Sequence, residues 1–411
     1  MSDIRFEGWL HRSGTGGVYQ DSAGNVGIAS TQPKTRLDIQ NGAFQIGPAG
    51  ICTAPAFIPS KGQLSHRNLI TNGAMNVAQR STSESGLGAS AGYFTLDRYR
   101  TTFSSTAGRL TMAQVADVHD GFANAMKFTC TTADTSVGSN EYFILQQKFE
   151  GQDLQQLKKG TSDAEEFTVS FYVKGNASAT YVVEMYDLDN NRQVGKTFSV
   201  TTSWTRVVLT FPADTTGALD DDANASLQLG IWLHAGSTYT SGTLATSWIS
   251  NVSAQRAGGI TSFFDSTDRT FFLTGLQLEV GSVATPFEHR AVGDELTRCQ
   301  RYYQEISMST ILMGSTNGST QLGNVSIPLA VPMRSAPTIA SGITYHMWHG
   351  DNGGANNDGT ALVAASFNTS NNPSHSVLLR GTLNGFSGRT DNRIGGACAN
   401  SGTNIKLDSE L

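Results

Sequence analysis

Between Phe167 and Val280 apolar residues recur with a period of two, in short runs separated by turn residues. This pattern limits the possible fold more than any other feature, because alternate side chains of a strand face opposite ways. Phe167, Val169, Phe171 and Val173 fall on one face, and Tyr181 to Tyr186 is a second run that ends at Asp187–Asn191. Trp204 to Phe211 alternates between two faces, and Leu227 to Leu233 follows. In the last run, Phe272, Thr274, Leu276, Leu278 and Val280 are expected on one face. Many short strands with two-sided alternation are what a two-sheet sandwich requires, and a jelly roll is the first choice. The fold class is therefore all-β, with residues 65–292 as the sandwich.

Composition agrees. Ser and Thr make up about a fifth of the 411 residues, Gly numbers 44, and charged residues are only 15%. That is too little Glu and Lys for a helical bundle. The net charge, 28 − 34 = −6, and the scattered basic residues argue against a nucleic-acid partner. No run approaches 18 apolar residues, so no membrane-inserting helix is expected. The opening MSDIRFEGWLHRSG carries Asp3 and Glu7 with no apolar core, and reads as no secretory leader. Cys52, Cys130, Cys299 and Cys398 have no C-x-x-C spacing and fit reduced, structural thiols in a chain made in cytoplasm.

Residues 1–64 differ from the rest. Three short runs, Val26/Ile28, Leu37/Ile39 and Phe44/Ile46, are punctuated by Gly24–Asn25, Gln32–Pro33 and Asn41–Gly42. Each buries two side chains on one face, which is too little to fold alone. The segment is expected to pack on copies of itself or on a partner, with 48–61 as an extended connector. Residues 293–306 place Leu296, Cys299, Tyr303 and Ile306 at helical spacing, with Asp294 and Glu295 at the start, and read as a linker helix. Residues 307–411 read as a smaller C-terminal β domain, a tip or interaction domain. Its strand candidates begin at Met308, Gln321, Thr338, Ala361, Ser376 and Arg393. No solenoid period is present.

Several stretches carry a family resemblance. GNVGIASTQPKTRLDIQNG (24–42) resembles segments of tailed-bacteriophage fibre proteins. HRNLITNGAMNVAQRSTS (66–83) with YFTLDRYR (93–100) resembles the opening of their jelly-roll module, through Asn68, Leu69, Asn72, Gly73, Gln79, Arg80, Thr82 and Ser83. It departs at Ser81, where Gly is usual, and at Tyr99, where Trp is usual. FFLTGLQLEVGSVATPFEHRAVGDELTRCQRYYQ (271–304) is the strongest match, and the terminal LDSEL is similar to their ends. The resemblance implies a virion protein: a tail fibre subunit, homotrimeric, whose jelly roll is similar to carbohydrate-binding modules and mediates adhesion to host surface glycans. Residues 1–64 would attach it to other virion proteins. A head-decorating or connector (neck) protein without a receptor, or a glycan depolymerase, are the alternatives.

Sugar contact needs aromatic faces together with planar polar groups. The glycan-contact candidates are Tyr239 and Trp248 in the sandwich and Tyr345 and Trp348 in Thr344–Asp351. Trp204 and Trp232 read as core. His346 and His349 would face opposite ways on a strand, so they do not make a joint metal site. Asp220, Asp221, Asp222 and Asn224 gather hard oxygens and form a weak calcium candidate. Hydrolysis needs two carboxylates facing one cleft. The available pairs, Glu165–Glu166, Asp187/Asp189 and Asp265/Asp268, sit at turns and strand ends, and no nucleophile or nucleotide motif accompanies them. No enzyme activity and no cofactor are expected.

Overall fold

A computed structural model describes residues 17–29, 65–306, 328–338 and 404–411 in full, and the backbone of further strands between them. The chain divides into two compact units, Met1–Lys61 and Gly62–Leu411.

The first unit is a six-stranded sheet in chain order: β1 (Gly8–Leu10), β2 (Gly17–Gln20), β3 (Val26–Ile28), β4 (Leu37–Ile39), β5 (Phe44–Ile46) and β6 (Cys52–Thr53). The three runs read from the sequence are β3, β4 and β5. β3 and β4 are parallel, with Val26 opposite Leu37 and Ile28 opposite Ile39. The β2–β3 turn is closed by Asp21, whose Oδ1 accepts from the Ala23 and Asn25 amides at 2.9 Å each. Gly24 sits there at φ +83°, a left-handed position that glycine takes without strain. The connector expected at 48–61 lies outside the described residues except for β6.

The second unit contains the sandwich. Its strands are β7 (Ser83–Leu87), β8 (Gly92–Tyr93), β9 (Arg100–Ser104), β10 (Arg109–Val115), β11 (Ala125–Thr132), β12 (Tyr142–Glu150), β13 (Phe167–Gly175), β14 (Ala179–Asp187), β15 (Arg192–Val200), β16 (Thr205–Phe211), β17 (Ala225–Ala235), β18 (Ile249–Ser250) and β19 (Thr270–Val280). One sheet has the order β16-β13-β19-β11-β10-β7 and the other β18-β15-β14-β17-β12-β9-β8. All pairs within them are antiparallel, and the chain passes repeatedly from one sheet to the other, as in a jelly roll. The core between the sheets holds the alternate residues of each, including Phe128, Phe143, Val169, Phe171, Val183, Leu229 and Ile231.

One face assignment is corrected. Phe271 and Leu273 point into the core, followed by Leu276 and Leu278, whereas Phe272 and Thr274 do not join it. The cause is a β-bulge: Ser170 pairs with Gln277 and Tyr172 with Thr274, so Gly275 and Leu276 together face Phe171. Gly275 supplies the φ of +63° that the bulge needs. Trp204 is also corrected. It is half-buried on the sheet surface against Phe272, with Lys174 Nζ 5.3 Å from its ring, rather than in the core.

The expected helix 293–306 is shorter. α1 (Ser237–Thr240) is a single turn, and α2 (Val292–Gln300) ends before Tyr303–Ile306, which is a strand, β20. β20 pairs with β27 (Ile405–Asp408), with Ile306 opposite Ile405, and β27 in turn pairs with β23 (Thr338–Ile339). Aromatic Tyr303 and β-branched Ile306 suit a strand when a partner strand is present. Helix α2 lies on the sandwich through Glu295, whose Oε1 accepts the Asn72 amide at 2.5 Å. Leu329 and Met333 are buried in this same unit, and Arg334 donates to the Ser409 and Ala223 carbonyls. Residues 329–339 and 405–411 therefore close onto the sandwich, while a second, five-stranded sheet is formed by β24 (Tyr345–His349), β26 (Ile394–Ala399), β21 (Leu312–Asn317), β22 (Gln321–Pro328) and β25 (Leu378–Asn384), in that order. The expected strand from Thr338 to Trp348 is thus two strands in two sheets. The one expected at Ala361 lies outside the described residues.

The sequence motifs converge on this closure. Asn68 Oδ1 accepts from Ile70 and Leu278 amides, and Asn72, at φ +61°, accepts from Val77 N and donates to the Val77 and Asp97 carbonyls. Gly73 packs so closely on Leu276 O that a Cβ would stand 2.2 Å from it. Arg301 grips the fully buried Glu150 with two bonds of 2.7 and 2.6 Å, and Tyr302 Oη adds a third at 2.5 Å. Arg80 and Arg98 reach Asp408 and Glu410 of the chain end.

Candidate functional site

The outer face of the seven-stranded sheet carries a groove of about 240 Å³. Even-numbered residues of β12 and β14 point outward here because their odd-numbered neighbours fill the core. The face is formed by Tyr142, Ile144 and Gln146 of β12, Tyr186 of β14, Gln228 and Trp232 of β17, and Thr102 of β9. Gly230 keeps the floor low: a Cβ there would meet Ile144 Cγ2 at 3.2 Å. The segment after β17 folds over one side, bringing Tyr239 from α1 and then Arg256.

The aromatic rings form a continuous set. Tyr239 stands edge-on to Tyr142 with centroids 5.4 Å apart and lies 5.3 Å from Trp232. Trp232 is fully buried as expected, yet it lines the groove rather than the core between the sheets. Its Nε1 donates to Glu184 Oε2 at 2.9 Å. Arg256 binds the same carboxylate with two bonds of 2.7 Å and lies between the Tyr186 and Trp232 rings, 4.6 and 4.9 Å from their centroids. Burial alone would lower the Arg256 pKa, but Glu184 outweighs it and holds the guanidinium above its ordinary value. Burial raises the Tyr239 and Tyr186 phenols, which keeps them as neutral hydroxyls.

The pair Arg256–Glu184 is therefore self-neutralised. The groove's free polar groups are planar amides: Gln146 uses its Oε1 for Thr102 Oγ1 at 2.7 Å, and its Nε2 and the whole Gln228 amide have no hydrogen-bond partner among the described residues. Half-exposed rings beside unpaired amides can cover the C–H faces of a neutral ring and bond its hydroxyls.

Of the candidates read from the sequence, Tyr239 is in the groove and Trp248 is not. Trp248 is half-buried against Phe167, and its Nε1 donates to Pro212 O at 2.9 Å. Tyr345 and Trp348 lie on the edge strand β24, paired in register with Ala399 and Gly396, and their side chains are outside the described residues. The loop 350–359 is also outside them. Asp220, Asp221 and Asp222 do not gather as a ligand set: Asp222 folds back on Asn224, accepting its amide at 2.8 Å, and Asp220 N donates to Asp189. One carboxylate of each hydrolytic pair is held in an ion pair, Glu165 with Lys158, Asp187 with Lys159, and Asp265 with Arg269. The sequence did not reveal Tyr142, Tyr186, Gln146, Gln228 or Arg256. The alternation of β12 and β14 could have placed the first three on one outer face. Arg256 comes from a loop with no periodic signal. A larger cavity, about 620 Å³, lies at the start of α2, but it lacks stacked aromatic faces and its Arg290 is paired with Glu288 and Glu295.

No protein-family model matches the chain, and no curated protein matches it. Solved structures similar to part of it are carbohydrate-binding modules. A family 4 module is 14% identical, with 51% of this chain and 99% of that one covered and a TM-score of 0.27. The CBM22-1 xylan-binding domain from Paenibacillus barcinonensis Xyn10C is 11% identical, covering 55% and 100%, with a TM-score of 0.27. TmCBM61, solved in complex with β-1,4-galactotriose, is 12% identical, covering 52% and 99%, also with a TM-score of 0.27. Likenesses this distant assign no ligand to this chain, and the chemistry of the groove has to be read from its own residues.

Proposed function

We propose that the chain is a non-catalytic, glycan-binding subunit of a bacteriophage fibre, homotrimeric, that adheres to neutral polysaccharide on the host surface. The observation that carries the binding is the groove, where Tyr142, Tyr186 and Tyr239 surround the Gln228 amide and the Nε2 of Gln146, both without a hydrogen-bond partner among the described residues. Neutral sugar is favoured because Arg256, the one cation lining it among the described residues, is already spent on Glu184. The fibre role rests on the motif resemblance. Trimer formation is supported by the first unit, where Val18 and Ile28 face each other across β2 and β3 and remain 42% and 40% exposed. Weak single-site contacts become avid when many copies act together.

Two measurements test this. Titration of the full chain with a panel of neutral oligosaccharides should give binding that Tyr239→Ala and Gln228→Ala each weaken about tenfold, roughly 1.4 kcal/mol. Gly230→Val should abolish it by filling the floor, and Val208→Ala on the opposite sheet should leave it unchanged. Failure to bind any neutral glycan, or equal binding by all variants, overturns the groove. Light scattering should give about 131 kDa, three times 43.8 kDa. A stable monomer overturns the trimer.

A further inference from the structure

Three metal-ligating side chains converge at the end of the sandwich where β12 begins. His234, near the end of β17, is fully buried with its ring edge-on to Phe264. Asp134, just past β11, is 5% exposed, and Glu141 immediately precedes β12. One ligand-capable atom from each lies within 4.8 Å of the other two. The segments are tied together independently of these side chains: Gly236 N donates to Glu141 O, and Asp134 N to Phe264 O, at 2.8 Å each.

The surrounding bonds orient His234 and Asp134 without consuming them. His234 Nδ1 is engaged by Ser262 Oγ at 2.7 Å, and that oxygen also accepts the Phe264 amide at 3.0 Å. The other ring nitrogen, Nε2, faces Glu141 Oε2 at 3.4 Å, long for a hydrogen bond. Thr106 Oγ1 and Ala107 N both donate to Asp134 Oδ2 at 2.8 Å, with the Gly108 amide also close to the carboxylate, and Oδ1 makes no hydrogen bond among the described residues. Outer partners of this kind fix the tautomer and orientation of metal-binding histidines and carboxylates. Charge points the same way. No Lys or Arg forms an ion pair with Asp134 or Glu141 among the described residues. Two carboxylates face one imidazole, so the cluster keeps a net negative charge that no Lys or Arg side chain among the described residues neutralises.

We propose that Asp134, Glu141 and His234 bind one zinc-class divalent ion through His234 Nε2 and one oxygen of each carboxylate. Calcium and magnesium take oxygen ligands, whereas an imidazole with two carboxylates suits zinc or its first-row neighbours. Bonds of about 2.0–2.2 Å place tetrahedral ligand atoms about 3.4 Å apart, so the cluster must tighten slightly. Glu141 is the least buried of the three, with its side chain 12% exposed, and provides both the movement and the entry path. The bound ion would brace the groove end, since Tyr142 follows Glu141 and Trp232 is two residues before His234. The site does not depend on what the groove binds.

The test uses the untagged full chain, stripped with chelator. Calorimetric titration with Zn²⁺ should give one site per chain, and the melting temperature should rise with zinc but not with the same concentration of Ca²⁺. Co²⁺ substitution should give visible ligand-field absorption. His234→Gln should lose the stoichiometric site. Should that buried variant fail to fold, Glu141→Gln, on the least buried ligand, should fold and bind Zn²⁺ at least tenfold more weakly. Substoichiometric binding by the natural chain, equal binding by Glu141→Gln, or stabilisation by Ca²⁺ equal to that by Zn²⁺ overturns the site.

Discussion

Arg98→Met should lower the melting temperature by on the order of 10 °C. Arg98 is 2% exposed and sits at φ +72° between the start of the sandwich and the chain end. Its guanidinium bonds Glu410, donates to Lys148 O at 2.7 Å, and lies 3.4 Å from the centroid of the Tyr302 ring. Methionine keeps the volume but removes the nearer positive charge, and the Glu410 side chain, 4% exposed, is left buried with Arg80 at 3.4 Å as its remaining cation. Breaking such a pair from one side costs about 3–5 kcal/mol, and each kcal/mol moves the melting point of a domain this size by about 2–4 °C. The double variant Arg98→Met/Glu410→Leu should recover much of the loss, because both charges leave together. Calorimetric melts of the two variants decide it. An Arg98→Met melt within 2 °C of the natural chain would show that the closure of residues 405–411 carries little of the stability.

Lys159→Met should have a comparable effect. Lys159 precedes β13, and its ammonium is enclosed by oxygens: Asp187 Oδ2 at 2.5 Å, Asp214 Oδ2 at 3.1 Å, and the Thr216 and Gly217 carbonyls at 2.9 Å each. The lysine side chain is 5% exposed, and the two carboxylates are 0% and 4%. Arg192 holds Asp214 from the other side at 2.8 Å, so Asp187 loses the more: its remaining partners are the neutral donors of Asn190. The expected cost is again about 3–5 kcal/mol. Lys159→Met/Asp187→Asn should melt above the single variant. If the double variant melts lower, Asp187 is held by something other than the ammonium.

These two clusters show how the sequence and the folded structure divide the information. Five strands of the sandwich, β13, β14, β16, β17 and β19, were legible because each buries a regular face, and period two survives any choice of partner strand. Legibility failed at Gly275, where one extra residue reverses the faces of β19, because a bulge changes direction without changing composition. It failed again at Tyr303–Ile306, where helical spacing yields to strand pairing with residues 405–408 a hundred positions away. The motif residues Asn72, Gln79, Arg80 and the Arg301–Tyr302 pair stood out in the sequence, but nothing local told that they clasp one another or the chain end.

The site follows the same rule. Tyr239 was found because an aromatic beside a polar loop is locally unusual, and Trp248 was chosen on the same ground although the fold turns it against Phe167. By itself the sequence determined an all-β chain and the positions of five central sandwich strands, because those depend on spacing and composition. The folded structure alone decided which outward-facing side chains became neighbours, bringing Tyr142, Gln228 and Tyr239 to one groove and Asp134, Glu141 and His234 to one point. Antiparallel register is set by the whole sheet, and only that register converts positions a hundred residues apart into contacts of a few ångströms.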